Sequence, residues 1–237
     1  MGQLFLIPTP IAEGRYGNTV PEIPAVVSKI KYYVVERTKT ARRFLRGICP
    51  EIVIDDLSFF EIDKGFDVSA LYSFLEILKS GEDVALLSEA GCPAVADPGH
   101  MAVAWCHKQH IEVRPLVGPS SIIMALMSSG FNGQQFTFHG YLPNKAAELS
   151  NRLRMLDQQV EKTGATQIFI ETPYRNGFMI STIIESLPQE RWLCVACDLD
   201  GEGQFVKTKR LSEWKKLDLG FLHKQPAVFL LGRFDTA

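Results

Sequence analysis

Two carboxylates stand in a short stretch of the chain that is rich in glycine, proline and alanine. The stretch runs from Val84 to Gly99 and carries Glu89 and Asp97. Its first four residues, Val84 to Leu87, are wholly apolar and predict a buried parallel strand, which breaks into a loop before a helical pattern resumes. Ligands of open α/β sheets bind beyond the carboxyl ends of the strands, so this loop is a candidate binding site. A turn that only caps a core strand is the alternative interpretation.

A second group of charged residues follows another predicted strand, at residues 32–35. Glu36 comes first, and five basic residues lie between Arg37 and Arg46, among them Arg42 and Arg43. Charge runs of this kind are usually a solvated helix face. The functional interpretation is a contact with RNA phosphates or another anionic substrate.

The bulk composition is that of a soluble globular protein. The chain has 237 residues, of which 46% are hydrophobic and 22% are charged. This length suits one large domain or two modest ones. The formal net charge is −2, so no overall basic field indicates a nucleic-acid partner, and any RNA binding has to be local.

The cysteines and the apolar segments predict a reduced, cytoplasmic protein. Five scattered cysteines lack paired zinc-type spacing, and no metal site is expected. No stretch approaches the roughly 20 apolar residues of a membrane span. The amino terminus has too short an apolar run for a signal peptide.

The order of apolar runs and helical patterns predicts an α/β protein with two α/β domains. The first domain, residues 1–116, is expected to hold a mostly parallel sheet flanked by helices. The second, residues 117–237, contains two strands joined by the acidic, glycine-containing turn from Asp198 to Gly203. This turn predicts a hairpin, and therefore a mixed sheet.

Five ordered motifs resemble one protein family. They are PTPI at residue 8, SEAGCPAVADPG at residue 88, GPSS at residue 118, YLPNK at residue 141 and ETPYR at residue 171. Together they resemble the tetrapyrrole methylase family, whose members are class III methyltransferases that depend on S-adenosylmethionine (SAM). Within this family the chain resembles a divergent member of the RsmI-like branch, the small-subunit ribosomal RNA methyltransferases.

This resemblance implies a homodimer that binds SAM in a cleft between the two domains. It also implies which residues hold the cofactor. They are Pro10, Glu89, Ala90, Gly91, Pro93, Ala96, Asp97, Ser120, Ser121, Tyr141, Leu142, Glu171, Pro226 and Ala227.

Methyl transfer from a sulfonium mainly needs alignment of the two reactants, but an alcohol acceptor must also lose a proton. Glu36 or Glu89 is the candidate general base. Arg37, Arg42, Arg43 and Arg175 are the candidate substrate-binding residues. Arg175 is also spaced to form a local ion pair with Glu171, which is the plainer interpretation of that motif.

The chain departs from the family pattern where relatives carry an F-H-x-H-N-E string. Residues Phe59 to Lys64 contain neither His nor Asn, and Ala12, Glu13 and Gly14 replace the family's G-N-L. Three hypotheses therefore stand: ribose methylation of small-subunit ribosomal RNA, methylation of a tetrapyrrole or other small acceptor, and a SAM-binding dimer without activity. The missing glycine-rich opening of the classical tetrapyrrole methylases counts against the second.

Overall fold

The computed structural model describes residues 1–62 and 68–234, with the backbone alone for residues 68–71. The chain divides into two compact units, Met1–Ser120 and Ser121–Ala237. Asp63 and Lys64, which belong to the segment that departs from the family pattern, lie outside the described residues.

The first unit alternates strands and helices. Its strands are β1 (Leu4–Ile7), β2 (Tyr32–Val35), β3 (Ser58–Glu61), β4 (Val84–Leu87) and β5 (Val113–Pro115). Its helices are α1 (Glu22–Val27), α2 (Thr38–Ile48), α3 (Val68–Ser80) and α4 (His100–Lys108). The strands pair in the order β3-β2-β4-β1-β5, and every pair is parallel.

The apolar runs of this unit form strands because the sheet is covered on both faces, as parallel sheets generally are. Alternate residues of one strand enter separate clusters: Leu4 packs with α3 and α4, whereas Phe5 and Ile7 pack with α1 and α2. All four residues of β4 are buried. The prediction of a parallel sheet flanked by helices is confirmed.

One predicted strand is shorter than expected. The sequence from Glu51 to Phe60 predicts a third strand, but β3 begins only at Ser58, after a single 3-10 turn over Ile54–Asp56. Asp55 and Asp56 favour a turn because their short polar side chains compete with the strand for backbone hydrogen bonds. β3 is therefore a short edge strand.

The second unit holds a mixed sheet. Its strands are β6 (Phe136–Tyr141), β7 (Thr166–Glu171), β8 (Trp192–Cys197), β9 (Phe205–Arg210) and β10 (Ala227–Gly232). Its helices are α5 (Ser121–Ser129), α6 (Ala146–Thr163), α7 (Asn176–Ser186) and α8 (Leu211–Trp214). The order is β6-β7-β10-β8-β9, in which β6 and β7 are parallel and the other pairs antiparallel.

The core of this unit lies between the sheet and helices α6 and α7. Leu153 and Ile183 pack with Phe169 and Phe229, whose rings stack across neighbouring strands at 5.8 Å. The predicted hairpin is β8 and β9, and the mixed sheet is confirmed.

Residues Val117 to Ser120 group with the first unit, although the sequence placed them in the second. The reason is packing against the exit of β1: a Cβ added to Gly118 would overlap the ring of Pro8. Nearby, the Cys92 thiol lies 3.3 Å from the carbonyl oxygen of Pro119. The second unit begins with the first residue of α5.

Candidate active site

Three connecting segments meet at the carboxyl edge of the parallel sheet in the first unit. They follow β1, β4 and β5. β2 and β4 are neighbours in the same sheet. The chain continues from β2 to β3 on one side of this pair, and from β4 to β5 on the other side. Adjacent strands whose connections diverge in this way leave a crevice at their carboxyl ends, where ligands of open α/β sheets bind.

The segments after β1 and β4 are fastened together by main-chain hydrogen bonds. The N–H of Thr9 donates to the carbonyl of Gly91 over 3.0 Å, and the N–H of Gly91 donates back over 3.1 Å. The Ser88 hydroxyl also donates to the carbonyl of Gly91. Gly91 has a φ of 78°, which an L residue adopts only with strain. This Thr9–Gly91 clasp fixes the start of the loop that carries the predicted site.

Asp97 shapes the remainder of that loop. Its carboxylate accepts hydrogen bonds from the N–H of Ala94 at 2.9 Å and of Gly99 at 2.7 Å. Burial raises the pKa of Asp97, and these two backbone donors oppose that shift. Ala94 and Ala96 have φ values of 65° and 62°, so the loop holds two alanines in the left-handed region. Asp97 therefore organises the loop backbone.

Glu36 and Glu89 follow neighbouring strands and lie together. The Glu89 N–H donates to Oε1 of Glu36 over 3.3 Å, and the Thr40 hydroxyl donates to Oε2 of Glu89 over 3.1 Å. Burial raises the pKa of Glu89. The Thr40 hydrogen bond lowers it, the Glu36 charge raises it, and Arg37 and Arg43 lower it. Glu89 thus has the environment of a carboxylate adjusted for proton transfer.

A cavity of about 280 Å³ opens beside Glu89. It is lined by Thr9, Pro10, Ile11, Ala12, Glu13, Gly14, Tyr16, Thr40, Ala41, Arg43, Phe44, Ser88, Glu89 and Ala90. Four predicted site residues are therefore brought together in one cavity: Pro10, Arg43, Glu89 and Ala90. Sequence reasoning missed Thr40, which lies among the basic residues that follow Glu36, and Tyr16, which lies beyond the PTPI motif.

The predicted basic residues lie along α2. Arg37 directly precedes this helix, the Arg42 guanidinium lies over the Phe59 ring at 5.4 Å, and Arg43 forms an exposed ion pair with Glu13. Glu61, at the end of β3, accepts the N–H of Thr38 over 2.7 Å and so holds the first turn of α2. The segment that departs from the family pattern thus supports α2 instead of supplying His or Asn.

The predicted residues of the second unit lie together at one end of the strands in its own sheet. Glu171 is paired in register with Ala227, and Tyr141 with Ile170. The same end also carries Leu142, which is buried, and Pro226, which is exposed. Cys197 ends β8 at the same level.

Glu171 and Arg175 form the ion pair that their spacing predicted. Arg175 Nε lies 3.2 Å from Glu171 Oε2, and an Arg175 Nη2 hydrogen donates to the Asn144 carbonyl over 2.9 Å. The other carboxylate oxygen of Glu171 accepts the Thr172 N–H. The ETPYR and YLPNK motifs are therefore joined through Arg175.

Asn176 is a residue that the sequence did not indicate. It is fully buried, and its amide donates to the carbonyls of Leu222 and Gln225. Within residues 1–62 and 68–234 its Oδ1 has no hydrogen-bond partner. A buried acceptor left unpaired is costly unless a ligand or water satisfies it.

Of the remaining predicted residues, Pro93 is buried in the loop after β4. Ser120 ends the first unit and Ser121 begins α5.

The described part of the chain contains no group of three or more His, Cys, Asp or Glu side chains placed to hold a metal ion. Among its helices, none is both long and apolar enough to cross a membrane.

The loop after β4 has the small residues that a cofactor held through backbone contacts requires. A Cβ on Gly91 would lie 3.3 Å from Ile11 and 3.4 Å from the Pro119 carbonyl, so the loop packs closely only because glycine stands there. Ala90, before this glycine, and Ala96, after it, are exposed, and each has a side chain of only one methyl group. In the second unit, Asn176 offers an unused acceptor.

Comparison with solved structures identifies the class of fold. The methyltransferase CobJ superposes with a TM-score of 0.64 at 18% identity, over 98% of this chain and 95% of that chain. A uroporphyrin-III C-methyltransferase from Thermus thermophilus, complexed with S-adenosylhomocysteine, gives 0.59 at 13% identity, over 98% of both chains. At such identities the likeness concerns the fold alone. The fold is that of the tetrapyrrole methylases.

Curated relatives narrow the class to a family. A ribosomal RNA small subunit methyltransferase I from Synechocystis is 32% identical over 199 residues, which cover 84% of this chain and 67% of the relative. The Pseudomonas aeruginosa protein of the same name is 30% identical, over 90% of this chain and 71% of the relative. No protein-family model matches the chain.

The chain belongs to the ribosomal RNA small subunit methyltransferase I family. The prediction of a SAM-dependent methyltransferase is confirmed at this level. The particular residues assigned to the donor and the acceptor stay predictions.

Proposed function

We propose that this chain transfers the methyl group of SAM to a ribose hydroxyl of small-subunit ribosomal RNA. The acceptor rests on the names of the relatives, which are ribosomal RNA small subunit methyltransferases. The observation that carries the proposal is the position of Glu89, which lines the cavity at the carboxyl edge of the sheet and is held by Glu36 and Thr40.

SAM, when bound, supplies a methyl carbon activated by a sulfonium. In the proposed reaction the ribose oxygen forms a bond to that carbon, the carbon–sulfur bond breaks, and its electron pair stays on sulfur. The hydroxyl proton passes to a carboxylate oxygen of Glu89. Thr40 fixes the orientation of that carboxylate, and the Glu89 N–H fixes Glu36 beside it.

The donor would be held by the loop after β4 and by the strand-end residues of the second unit. In the loop these are the residues from Glu89 to Asp97, together with Pro10, Ser120 and Ser121. In the second unit they are Tyr141, Leu142, Glu171, Pro226 and Ala227. Arg175 would keep Glu171 and the YLPNK motif in place.

Further parts of the proposal concern location and assembly. By analogy with relatives we expect a cytoplasmic homodimer that acts on the small ribosomal subunit.

In contact with the substrate, Arg37, Arg42 and Arg43 would bind the RNA phosphates. The family pattern has a His- and Asn-containing string where this chain has Phe59 to Lys64, so this chain either orients the ribose with other groups or acts on another acceptor. Tyr16 in the cavity wall is one candidate for such a group.

The first experiment is calorimetric titration with SAM and with S-adenosylhomocysteine, followed by methyl transfer to unmodified small ribosomal subunits. At a SAM concentration that saturates each protein, Glu89→Gln should lower turnover by about 10²–10⁴-fold, the range for loss of a general base. Glu82→Gln, an exposed acid in the same unit, is the matched control. Full turnover by Glu89→Gln would show that Glu89 is not the base. A wild-type protein that binds SAM but does not methylate the subunits would show that small-subunit RNA is not the acceptor.

A further inference from the structure

Four basic side chains repeat along α2 at the spacing of one helical turn. They are Lys39, Arg42, Arg43 and Arg46, at positions i, i+3, i+4 and i+7, and all four are exposed. This spacing places them on one face of the helix, opposite buried Ala41, Phe44 and Leu45. At about 1.5 Å per residue they span roughly 10 Å. We call this set the α2 basic stripe.

The stripe borders a groove of about 630 Å³. The groove is lined by Thr38, Lys39, Arg42, Arg43, Arg46 and Glu61. Glu61 is the one acid among these lining residues, and it already accepts the N–H of Thr38. The groove therefore has a strongly positive wall on a chain whose formal net charge is −2.

One member of the stripe is held in position before any ligand binds. The Arg42 guanidinium lies over one face of Phe59, and that ring stacks with buried Tyr33 at 5.6 Å. A cation held on an aromatic face loses less freedom when it binds an anion. Arg42 is therefore ready to contact a phosphate at a fixed place along the groove.

The groove leads to the cavity beside Glu89. Arg43 belongs to the lining of both. Its partner Glu13 forms an exposed ion pair with it, and solvent weakens such pairs, so a phosphate can displace Glu13 at little cost. A polyanion lying on the stripe would thus be directed towards the candidate base.

We propose that the α2 basic stripe is the docking surface for a single RNA strand, which it binds through successive phosphates so that one nucleoside enters the cavity beside Glu89. This inference rests on the proposed function, because it takes RNA as the acceptor. It adds Lys39 and Arg46, which lie outside the catalytic cavity. A single strand is favoured because an unpaired nucleoside can leave the stack and enter the cavity, whereas a nucleoside within a duplex must first be unpaired and unstacked.

The test neutralises the two outer members of the stripe in the full chain. In Lys39→Gln/Arg46→Gln, anisotropy with a fluorescein-labelled single-stranded oligoribonucleotide should show about tenfold weaker binding. The slope of log K against log salt should become shallower by about 1.4, since each phosphate contact on a single strand contributes about 0.7. SAM affinity, measured by calorimetry, should be unchanged.

Lys215→Gln/Lys216→Gln removes the same charge from exposed positions of the second unit and should bind the oligonucleotide like wild type. If the stripe variant keeps wild-type affinity and salt slope while the wild-type protein methylates small subunits, the stripe is not the docking surface and the proposed function stands. If the wild-type protein neither binds RNA nor methylates subunits, both proposals fail. Equal weakening in the two variants would show an effect of net charge and would also overturn the docking surface.

Discussion

The backbone N–H of Glu89 donates a hydrogen bond to the side chain of Glu36, so one acid of the site positions the other. The two residues follow adjacent parallel strands, and this bond fixes their relative placement. The Glu36 charge adds to burial in raising the pKa of Glu89. The arrangement favours a Glu89 that exchanges a proton closer to neutrality than an ordinary glutamate.

Thr40 should tune this proton exchange as a positioning residue. Its hydroxyl stabilises the charged form of Glu89, so Thr40→Val should raise the pKa of Glu89 further. The proposed reaction requires ionised Glu89, and the acid limb of the pH profile of kcat should therefore move to higher pH. Thr40→Ser keeps the hydroxyl and should restore the wild-type profile. A profile that is the same for Val and wild type would show that Glu89 does not set the acid limb.

Asp97 should act on the donor through the loop backbone. Asp97→Ala leaves the N–H groups of Ala94 and Gly99 without their acceptor, which should lower the free energy of unfolding by about 1–3 kcal/mol and weaken SAM binding. Asp97→Asn retains one carbonyl oxygen and should lose less of both. Chemical denaturation and calorimetry measure the two effects. Unchanged SAM affinity in a stable Asp97→Ala protein would remove Asp97 from the site.

Gly118 should be intolerant of a side chain. A Cβ at this position overlaps the ring of Pro8, so Gly118→Ala must displace either the exit of β1 or the segment after β5. Overpacking of this kind destabilises by about 1–3 kcal/mol. Gly17→Ala is the control in the same unit, because a Cβ there meets nothing within 4 Å among the described residues. Equal midpoints of urea unfolding for the two variants would contradict the packing.

His139 should make the stability of the second unit depend on pH. Its ring lies 2.8 Å from Gln167 Oε1 and 3.1 Å from an Arg152 nitrogen. Burial lowers its pKa, the Gln167 hydrogen bond opposes the shift, and the Arg152 charge adds to it. A histidine with a lowered pKa contributes stability above its unfolded pKa of about 6.5, and that contribution is lost as pH falls.

Unfolding free energies at neutral and mildly acidic pH, with and without His139→Gln, measure this contribution. The variant should show a smaller loss of stability on acidification than the wild-type protein. Equal losses would show that His139 is not coupled to folding.

Hydrophobic patterning was sufficient for most elements. The four apolar residues of β4 and the turn between β8 and β9 predicted a parallel sheet and a hairpin, because each pattern reflects a burial that the residues themselves require. The predicted start of β3 was wrong, because two aspartates favour a local turn within a run that otherwise has the pattern of a strand.

The contacts of the site were less accessible from sequence. Thr40 and Glu89 are separated by 49 positions, and Glu13 and Arg43 by 30, so only the folded chain joins them. Asp97 was predicted to contact the cofactor from its motif alone, whereas its oxygens accept hydrogen bonds from its own loop. Short-range hydrogen bonds of this kind depend on backbone angles that residue types do not specify.

The Thr9–Gly91 clasp has an evolutionary consequence. Both of its reciprocal bonds are made by main-chain atoms, so they place almost no demand on the identity of the neighbouring side chains. The segment from Ala12 to Gly14 lies just beyond the clasp and differs from the family pattern, while the loop that it borders departs from the family motif only at Cys92 and Ala96. A connection secured by backbone atoms allows the side chains that line the cavity beside it to change without rebuilding the fold around them.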